Sequence, residues 1–346
     1  MNGAFARHDD KPYKRCSYLA PSLRFSLPFP RHEPAMNVQN TAHQPTLEER
    51  LRAGRFVMTA EVAPPVSCDA QDLLAKALPL RGLADAVNLT DGAGARAHMG
   101  ALASASILLG AGIEPILQFT CRDRNRIALQ SDLMGAAALG IRNILVLTGD
   151  DPKAGDQPDT KPVFDIDSRA LIETARRLRD QGELPTGRKV AGHAAFFIGA
   201  ADMPIDPPAG WQPKSLAGKV AGGAQFVQTQ FCMDTALLRR YVAALADAGL
   251  MGELKMLIGV NPLRSAKSAA WMKTNLFGTI IPDAMVARME GATDPGREGI
   301  AICVELIEEL STIPGVAGVH IMAPGNDAAI PEVIAEARGR VRSAAV

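Results

Sequence analysis

The sequence predicts an α/β chain folded as a (β/α)8 barrel, on three observations. Eight short, β-branched-rich apolar runs alternate with longer helical segments, the pattern of a parallel sheet wrapped in helices. Several of those runs stop abruptly at small or charged residues, as parallel strands do where they open on a ligand-binding face. The chain has 346 residues, 47% of them hydrophobic, which suffices for a barrel of roughly 250 residues with extensions. A doubly wound open sheet is the alternative, because periodicity does not show closure.

Taken in order, residues 1–45 stand apart, with Pro21, Pro28, Pro30 and Pro34 among mixed charges and no sustained apolar period. They are expected to form a disordered or loosely attached leader, too Pro-broken for a signal-peptide core or a membrane span, with Met36 an equally good start. Residues 46–346 are expected to form a single catalytic domain. A short helix from Thr46 to Ala53 opens it. Strands follow at Phe56–Val62, Ala84–Thr90, Glu114–Thr120, Ile141–Thr148, Val190–Ile198, Phe226–Gln230, Lys255–Val260 and Val316–Met322. Helices are expected between them at Ala70–Leu80, Ala97–Leu109, Arg124–Leu139, Ser168–Arg179, Ser215–Gly222, Thr235–Ala248 and Ser265–Leu276, with Ile330–Arg342 last. An extra pair, Asp283–Glu290 and Asp294–Ile313, precedes the final strand.

Charge and cysteine usage narrow the function. Lys plus Arg and Asp plus Glu both total 37, so the chain lacks the electrostatic footprint of a nucleic-acid or membrane-surface binder. The five cysteines are scattered without a CxxC pair, which argues against a disulfide framework or a structural zinc site and for a reducing cytoplasm. His98, His193 and His320 are isolated in sequence and are taken as core or loop histidines, so no metal site is expected.

The strand ends carry the chemistry. The run Ile141–Leu147 closes on Thr148-Gly149-Asp150, delivering a carboxylate to the mouth of the fold. Glu61 interrupts the first strand between Met58, Val62 and Pro64-Pro65, and an apolar setting of that kind would raise its pKa toward that of a general acid. The second strand ends in the small-residue loop Asp91-Gly92-Ala93-Gly94, which lets a ligand approach backbone amides. Arg122, Arg124 and Arg126 either face a pyrophosphate or form a solvated charge run with Asp123 and Asp132. Lys219 either reaches a phosphate or snorkels to solvent. Gln228 and Gln230 lie on alternate positions of one strand, so both point the same way, into the barrel.

Glu61-x-x-Pro64-Pro65, Arg122-Asp123-Arg124-Asn125, Leu147-Thr148-Gly149-Asp150, Lys219 and Thr229-Gln230-Phe231 together resemble methylenetetrahydrofolate reductase, from about Phe56 to Arg338. The Arg-Asp-Arg-Asn segment and the Leu-Gln-Ser-Asp-Leu after it are nearer to the bacterial branch that includes corrinoid-linked reductases. The resemblance implies a (β/α)8 barrel that binds FAD non-covalently, takes hydride from NADH or NADPH, and reduces 5,10-methylenetetrahydrofolate to 5-methyltetrahydrofolate. It assigns Glu61 as the general acid, Asp150 as the acidic residue near flavin and pterin, and Gln230 as the substrate-contacting amide. It places Thr90, Ala93, Gln118, Thr148, Gly149, Asp150, Ser168, Gly199, Ser215 and Lys219 against FAD. Gln118 stands where many members have a flavin-contacting His, Gly218 where they have an Arg, and Ala266 where an aromatic can stack on substrate. Two other readings stay open: a flavin-free reductase passing hydride directly from nicotinamide to folate, and a non-catalytic binding barrel. The implied partner is a small folate, with no nucleic acid and no membrane; a homo-oligomer is compatible with the sequence.

Overall fold

The computed structural model describes residues 44–341, so the expected leader lies outside the described residues. The chain enters through α1 (Leu47–Arg52), opened by a capping box in which Thr46 and Glu49 satisfy each other's backbone N–H groups. Strands and helices then alternate: β1 (Val57–Val62), α2 (Ala70–Ala77), β2 (Ala86–Leu89), α3 (Ala101–Gly110), β3 (Pro115–Thr120), α4 (Arg126–Ala138), β4 (Asn143–Leu147), α5 (Ser168–Gln181), β5 (Phe197–Asp202), α6 (Lys214–Gly222), β6 (Phe226–Phe231), α7 (Thr235–Asp247) and β7 (Lys255–Val260). The last part runs α8 (Ala266–Asn275), α9 (Asp283–Glu290), α10 (Pro295–Leu310), β8 (Val316–Ile321) and α11 (Ile330–Arg340). The eight strands are parallel neighbours in sequence order, and β1 pairs with β8, so the sheet closes into a barrel. The open-sheet alternative falls with that pairing.

Two expectations need correction. The fifth strand forms at Phe197–Asp202 rather than Val190–Ile198, because the earlier residues leave by a turn in which Val190 donates to Gly182 O and Lys189 bridges Glu183. The extra helices before β8 are α8 and α9, not α9 and α10. The segment α10 buries a full apolar stripe including Ile302, Val304, Leu306 and Leu310, and packs on β7 and β8 as the return helix of the barrel. It comes so close that a Cβ on Gly299 would lie 1.7 Å from Leu263 O. By contrast α8 and α9 bury only Ala269, Met272 and Met289, and the chain between them is stitched to the end of β6 through Ile280 N to Phe231 O (2.9 Å) and Met233 N to Ile280 O (2.8 Å).

The core has two layers. The larger lies between the strands and the helices, and it takes Met58, Ala60 and Val62 from β1. The smaller fills the N-terminal half of the barrel with Val57, Ala86, Ile116, Leu145, Phe197, Phe226 and Leu257, sealed by Leu47 and Leu51 of α1. Phe197 and Phe226 stack with centroids 4.8 Å apart, and Gly199 lies under the Phe226 ring, where a Cβ would approach within 2.3 Å. Apolar side chains thus fill the lower barrel, and the polar inward-facing residues lie in the upper half and at its mouth.

Candidate active site

Inward-facing positions alternate along each strand, so the residues two and four places above the apolar floor point into the same cavity. On β1 these are Thr59 and Glu61. The apolar neighbours expected for Glu61 therefore face the wrong way: Met58 and Val62 pack outward into the helices. What surrounds Glu61 is polar. Gln118 Nε2 of β3 donates to Glu61 Oε2 at 3.2 Å, and His320 Nε2 of β8 lies 3.5 Å from the same oxygen. His320 Nδ1 is 3.0 Å from Thr59 Oγ1, which also accepts from Gln228 Nε2 of β6 at 3.1 Å. Across the barrel, Gln228 and Asn88 of β2 form a reciprocal amide pair at 2.5 and 3.0 Å.

This network accepts Glu61 in either protonation state. The Thr59 hydroxyl donates either to Val319 O (3.2 Å) or to His320 Nδ1, and the imidazole then presents either a lone pair or an N–H toward Glu61. Both contacts fall on Oε2, so Oε1 stays available at the mouth. Thr59 and Asn88 carry no functional expectation from the sequence, and His320, expected there as a core or loop histidine, is buried but belongs to the site. His320 carries the same signal as Glu61, one polar residue inside an apolar strand.

The loops above β2, β3 and β4 form a second polar layer. Asp91 Oδ2 accepts from Thr120 N (2.8 Å) and Thr120 Oγ1 (3.0 Å) and pairs with Arg124, which also reaches Asp132 at 2.8 Å. Arg122 is buried, donates bidentately to Asp123 at 2.7 Å, and ties down Gly92 O and Asp150 O. Arg126 pairs with Asp165, and Asn125 caps α4 by accepting from Ile127 N and Ala128 N. The Arg-Asp-Arg-Asn segment is thus a charge-neutralised scaffold: the expected pairs with Asp123 and Asp132 form, but Arg122 is buried rather than solvated and Arg124 takes Asp91 as a further partner. Around it, Gly94 N donates to Asp150 Oδ2 at 2.8 Å, while Gly92 N donates to His98 Nε2 at 2.9 Å. Gly149, at φ +99°, leaves no room for a side chain, since a Cβ would sit 2.8 Å from Arg122 Cβ. Thr90 is buried at the end of β2, whereas Ala93 and Thr148 are exposed. A cavity of about 280 Å³ opens here, lined by Gly92, His98, Arg122, Pro152, Gln157 and Thr160.

Beyond β5, Lys219 Nζ of α6 donates to Ala201 O at 2.6 Å, and burial pulls its pKa below the usual lysine range against the pull of Asp202. Burial pushes the Asp202 carboxyl up, opposed by the hydroxyl of Tyr241, which donates to it. Ser168, the first residue of α5, is buried, and Ser215 near the start of α6 is exposed. Arg169 crosses from α5 into the space that Gly218 leaves: a Cβ there would lie 2.9 Å from Arg169 Cδ and 3.0 Å from its Nη1. On β6 the register with β7 shifts between Gln228 and Phe231. Gln230 there donates through Nε2 to Phe277 O (3.3 Å) and accepts from Phe231 N (3.0 Å).

Residues 46–338, almost the whole barrel, match the sequence profile of methylenetetrahydrofolate reductase. The chain belongs to the methylenetetrahydrofolate reductase family. A relative from Caenorhabditis elegans, described as a probable methylenetetrahydrofolate reductase (NADPH), is 24% identical over 239 residues, which is 67% of this chain and 33% of that protein. The chain therefore spans about a third of the length of this curated relative. Among solved structures, DmoA from Hyphomicrobium sulfonivorans superposes with a TM-score of 0.50 at 12% identity, covering 83% of this chain and 89% of that one. EDTA monooxygenase (EmoA) from Chelativorans sp. BNC1 gives 0.52 at 14% identity, covering 83% and 95%. At such identities the likeness concerns the barrel fold alone. Among the described residues of this family member, no helix is long and apolar enough to cross a membrane, and no group of His, Cys, Asp and Glu could hold a metal ion.

Proposed function

We propose that this family member reduces 5,10-methylenetetrahydrofolate to 5-methyltetrahydrofolate with NADH or NADPH, using non-covalently bound FAD, in the one-carbon metabolism of the cytoplasm. The observation that carries the proposal is the placement of Glu61, the carboxyl on β1 that points into the upper barrel, with one oxygen held by Gln118 and His320 and the other open. Folate reduction needs a proton at a weakly basic nitrogen. Glu61 delivers it to the imidazolidine nitrogen, whose bond to the bridging methylene carbon breaks with the electron pair staying on nitrogen. The iminium so formed accepts hydride at that carbon and becomes the methyl group. Gln118 and His320 hold the carboxyl in position and accommodate it after the proton has left. Asp150, fixed by Gly94 N, adds a negative group beside the cationic iminium. Gln230 contributes an amide for the pterin edge.

The donor set fits an FAD diphosphate. Lys219 and Arg169 bring two cations to facing helices, and the carboxylate near Arg169 is Asp167 at 3.8 Å, too distant for a tight pair. Arg169 fills the space over Gly218 and so supplies, from α5, the cation that the family places on α6. Ser168 and Ser215 offer hydroxyls, while Thr90, Ala93, Gln118, Thr148, Gly149 and Asp150 would border the ring system. Gly199, beneath Phe226, would act only through the shape of the barrel floor. When bound, the flavin supplies two-electron transfer between nicotinamide and folate.

Glu61→Gln separates the half-reactions. Stopped-flow traces should show cofactor reduction by NADH at the wild-type rate and folate reduction lowered by at least about a hundredfold. Equal losses in both halves would remove Glu61 from the proton step. The absorption spectrum of the purified protein tests the cofactor separately: flavin bands support FAD, and folate turnover without them supports direct hydride transfer.

A further inference from the structure

Phe277 has the most exposed aromatic side chain among the described residues, at 83%. Its backbone is nevertheless tightly held. Leu276 N donates to Met272 O at the end of α8, Thr279 N turns back to Leu276 O, and Ile280 is hydrogen-bonded on both sides to the end of β6. Gly278, at φ +76°, crosses Met203 just past β5, where a Cβ would meet Met203 Sδ at 2.6 Å and Gln230 Cγ at 3.6 Å. The Gln230 amide fastens the loop from below through Phe277 O, while its oxygen is fixed by Phe231 N. One N–H and one lone pair of that amide remain free. Met203, at 43% exposure, lies under the same loop. Two residues on, the buried Thr279 hydroxyl has no hydrogen-bond partner.

What distinguishes this exposed ring from a scattered surface residue is that its loop is rigid and fastened to Gln230, so a flat ligand held by that amide could cover the ring. We propose that Phe277, with Met203 beside it, is the aromatic wall of the folate site: it stacks on the pterin whose edge Gln230 contacts, and Gln230 also latches the loop that carries it. This rests on the folate reading above. The loop is anchored to the end of β6, the strand that carries the amide, so ring and amide reach one ligand together. Neither α8 nor α9 buries enough surface to need the ring for packing, so its loss leaves the barrel intact.

The test compares Phe277→Ala and Phe277→Tyr with the wild type, measuring steady-state turnover of 5,10-methylenetetrahydrofolate and calorimetric binding of 5-methyltetrahydrofolate. For Phe277→Ala we expect KM and Kd to rise by about tenfold, the cost of one lost stacking surface, with kcat, flavin content and Tm essentially unchanged. Phe277→Tyr should keep near-wild-type values. In Gln230→Ala/Phe277→Ala the KM should rise by less than the product of the single effects, because Gln230→Ala already frees the loop. A wild type that turns over folate while Phe277→Ala shifts KM and Kd by less than about twofold would overturn the wall alone. A multiplicative double variant would overturn the latch. A wild type that neither binds nor reduces folate would overturn both the wall and the reaction on which it rests.

Discussion

The amide pair Asn88–Gln228 bridges the barrel above its apolar floor, and Gln228 uses its second N–H on Thr59, the residue that faces His320. Every donor of the Gln228 amide is used, in a place without water access, so removing either partner strands the other. Gln228→Leu and Asn88→Ala should each cost about 1–3 kcal/mol, and the double variant clearly less than the sum, because the second change removes a group already orphaned. Urea unfolding of the four proteins measures this. Additivity within about 0.5 kcal/mol would mean that the two amides do not depend on each other. Activity in Gln228→Leu should fall as well, since the Thr59–His320 contact behind Glu61 loses one of its supports.

At the scale of elements, α1 is docked by charge as well as by Leu47 and Leu51. Glu114, immediately before β3, accepts from Leu47 N at 3.0 and 3.1 Å and from Asn143 Nδ2 at 2.8 Å. Burial nevertheless raises its carboxyl above the ordinary value of 4.5, outweighing those hydrogen bonds. The folded state therefore keeps a proton that the unfolded chain has released, so stability falls as pH climbs from 4.5 through the raised value and levels off above it. Glu114→Gln, which retains an acceptor for Leu47 N, should flatten that part of the profile. Urea midpoints of both proteins between about pH 4 and pH 7 give the difference; parallel curves would show that Glu114 contributes no such slope. Elements of this kind were legible in the sequence to different degrees. The strands other than β5 lie within two residues of their expected places, because buried parallel strands are continuous apolar runs. The same property hid part of the site. With both faces buried, alternation disappears, so the inward parity that joins Thr59 and Glu61 and turns Met58 outward could not be read. Phe196 and Ala194 satisfied the apolar-run criterion for β5 while packing into the core ahead of the sheet. Phe277 gave no signal because an exposed aromatic in a loop follows no period.

The whole molecule separates stability from chemistry along the barrel axis. Apolar side chains and α1 close the N-terminal end, and polar side chains and loops build the C-terminal mouth, the division expected of a barrel whose site is assembled at its strand ends. Leu47 and Leu51 are almost wholly buried, at 0% and 1% exposure, so replacing either by Ala opens a cavity in a layer of only nine side chains. We expect Leu51→Ala to cost about 2–5 kcal/mol and to lower Tm by at least roughly 5 °C. Well below the new Tm, its KM for folate should stay at the wild-type value, because the floor and the mouth are separated by the polar layer of Thr59, Asn88, Gln118 and Gln228. Truncation makes the same division visible: a chain starting at residue 44 keeps α1 and should melt with the full-length protein, while one starting at Gly54 loses the seal and should melt far lower or fail to fold. Calorimetric melts of the three chains, together with KM of Leu51→Ala, decide the matter. A Leu51→Ala variant with unchanged Tm would show that α1 merely rests on the barrel, and one with wild-type Tm but raised KM would show that the floor acts on the site directly.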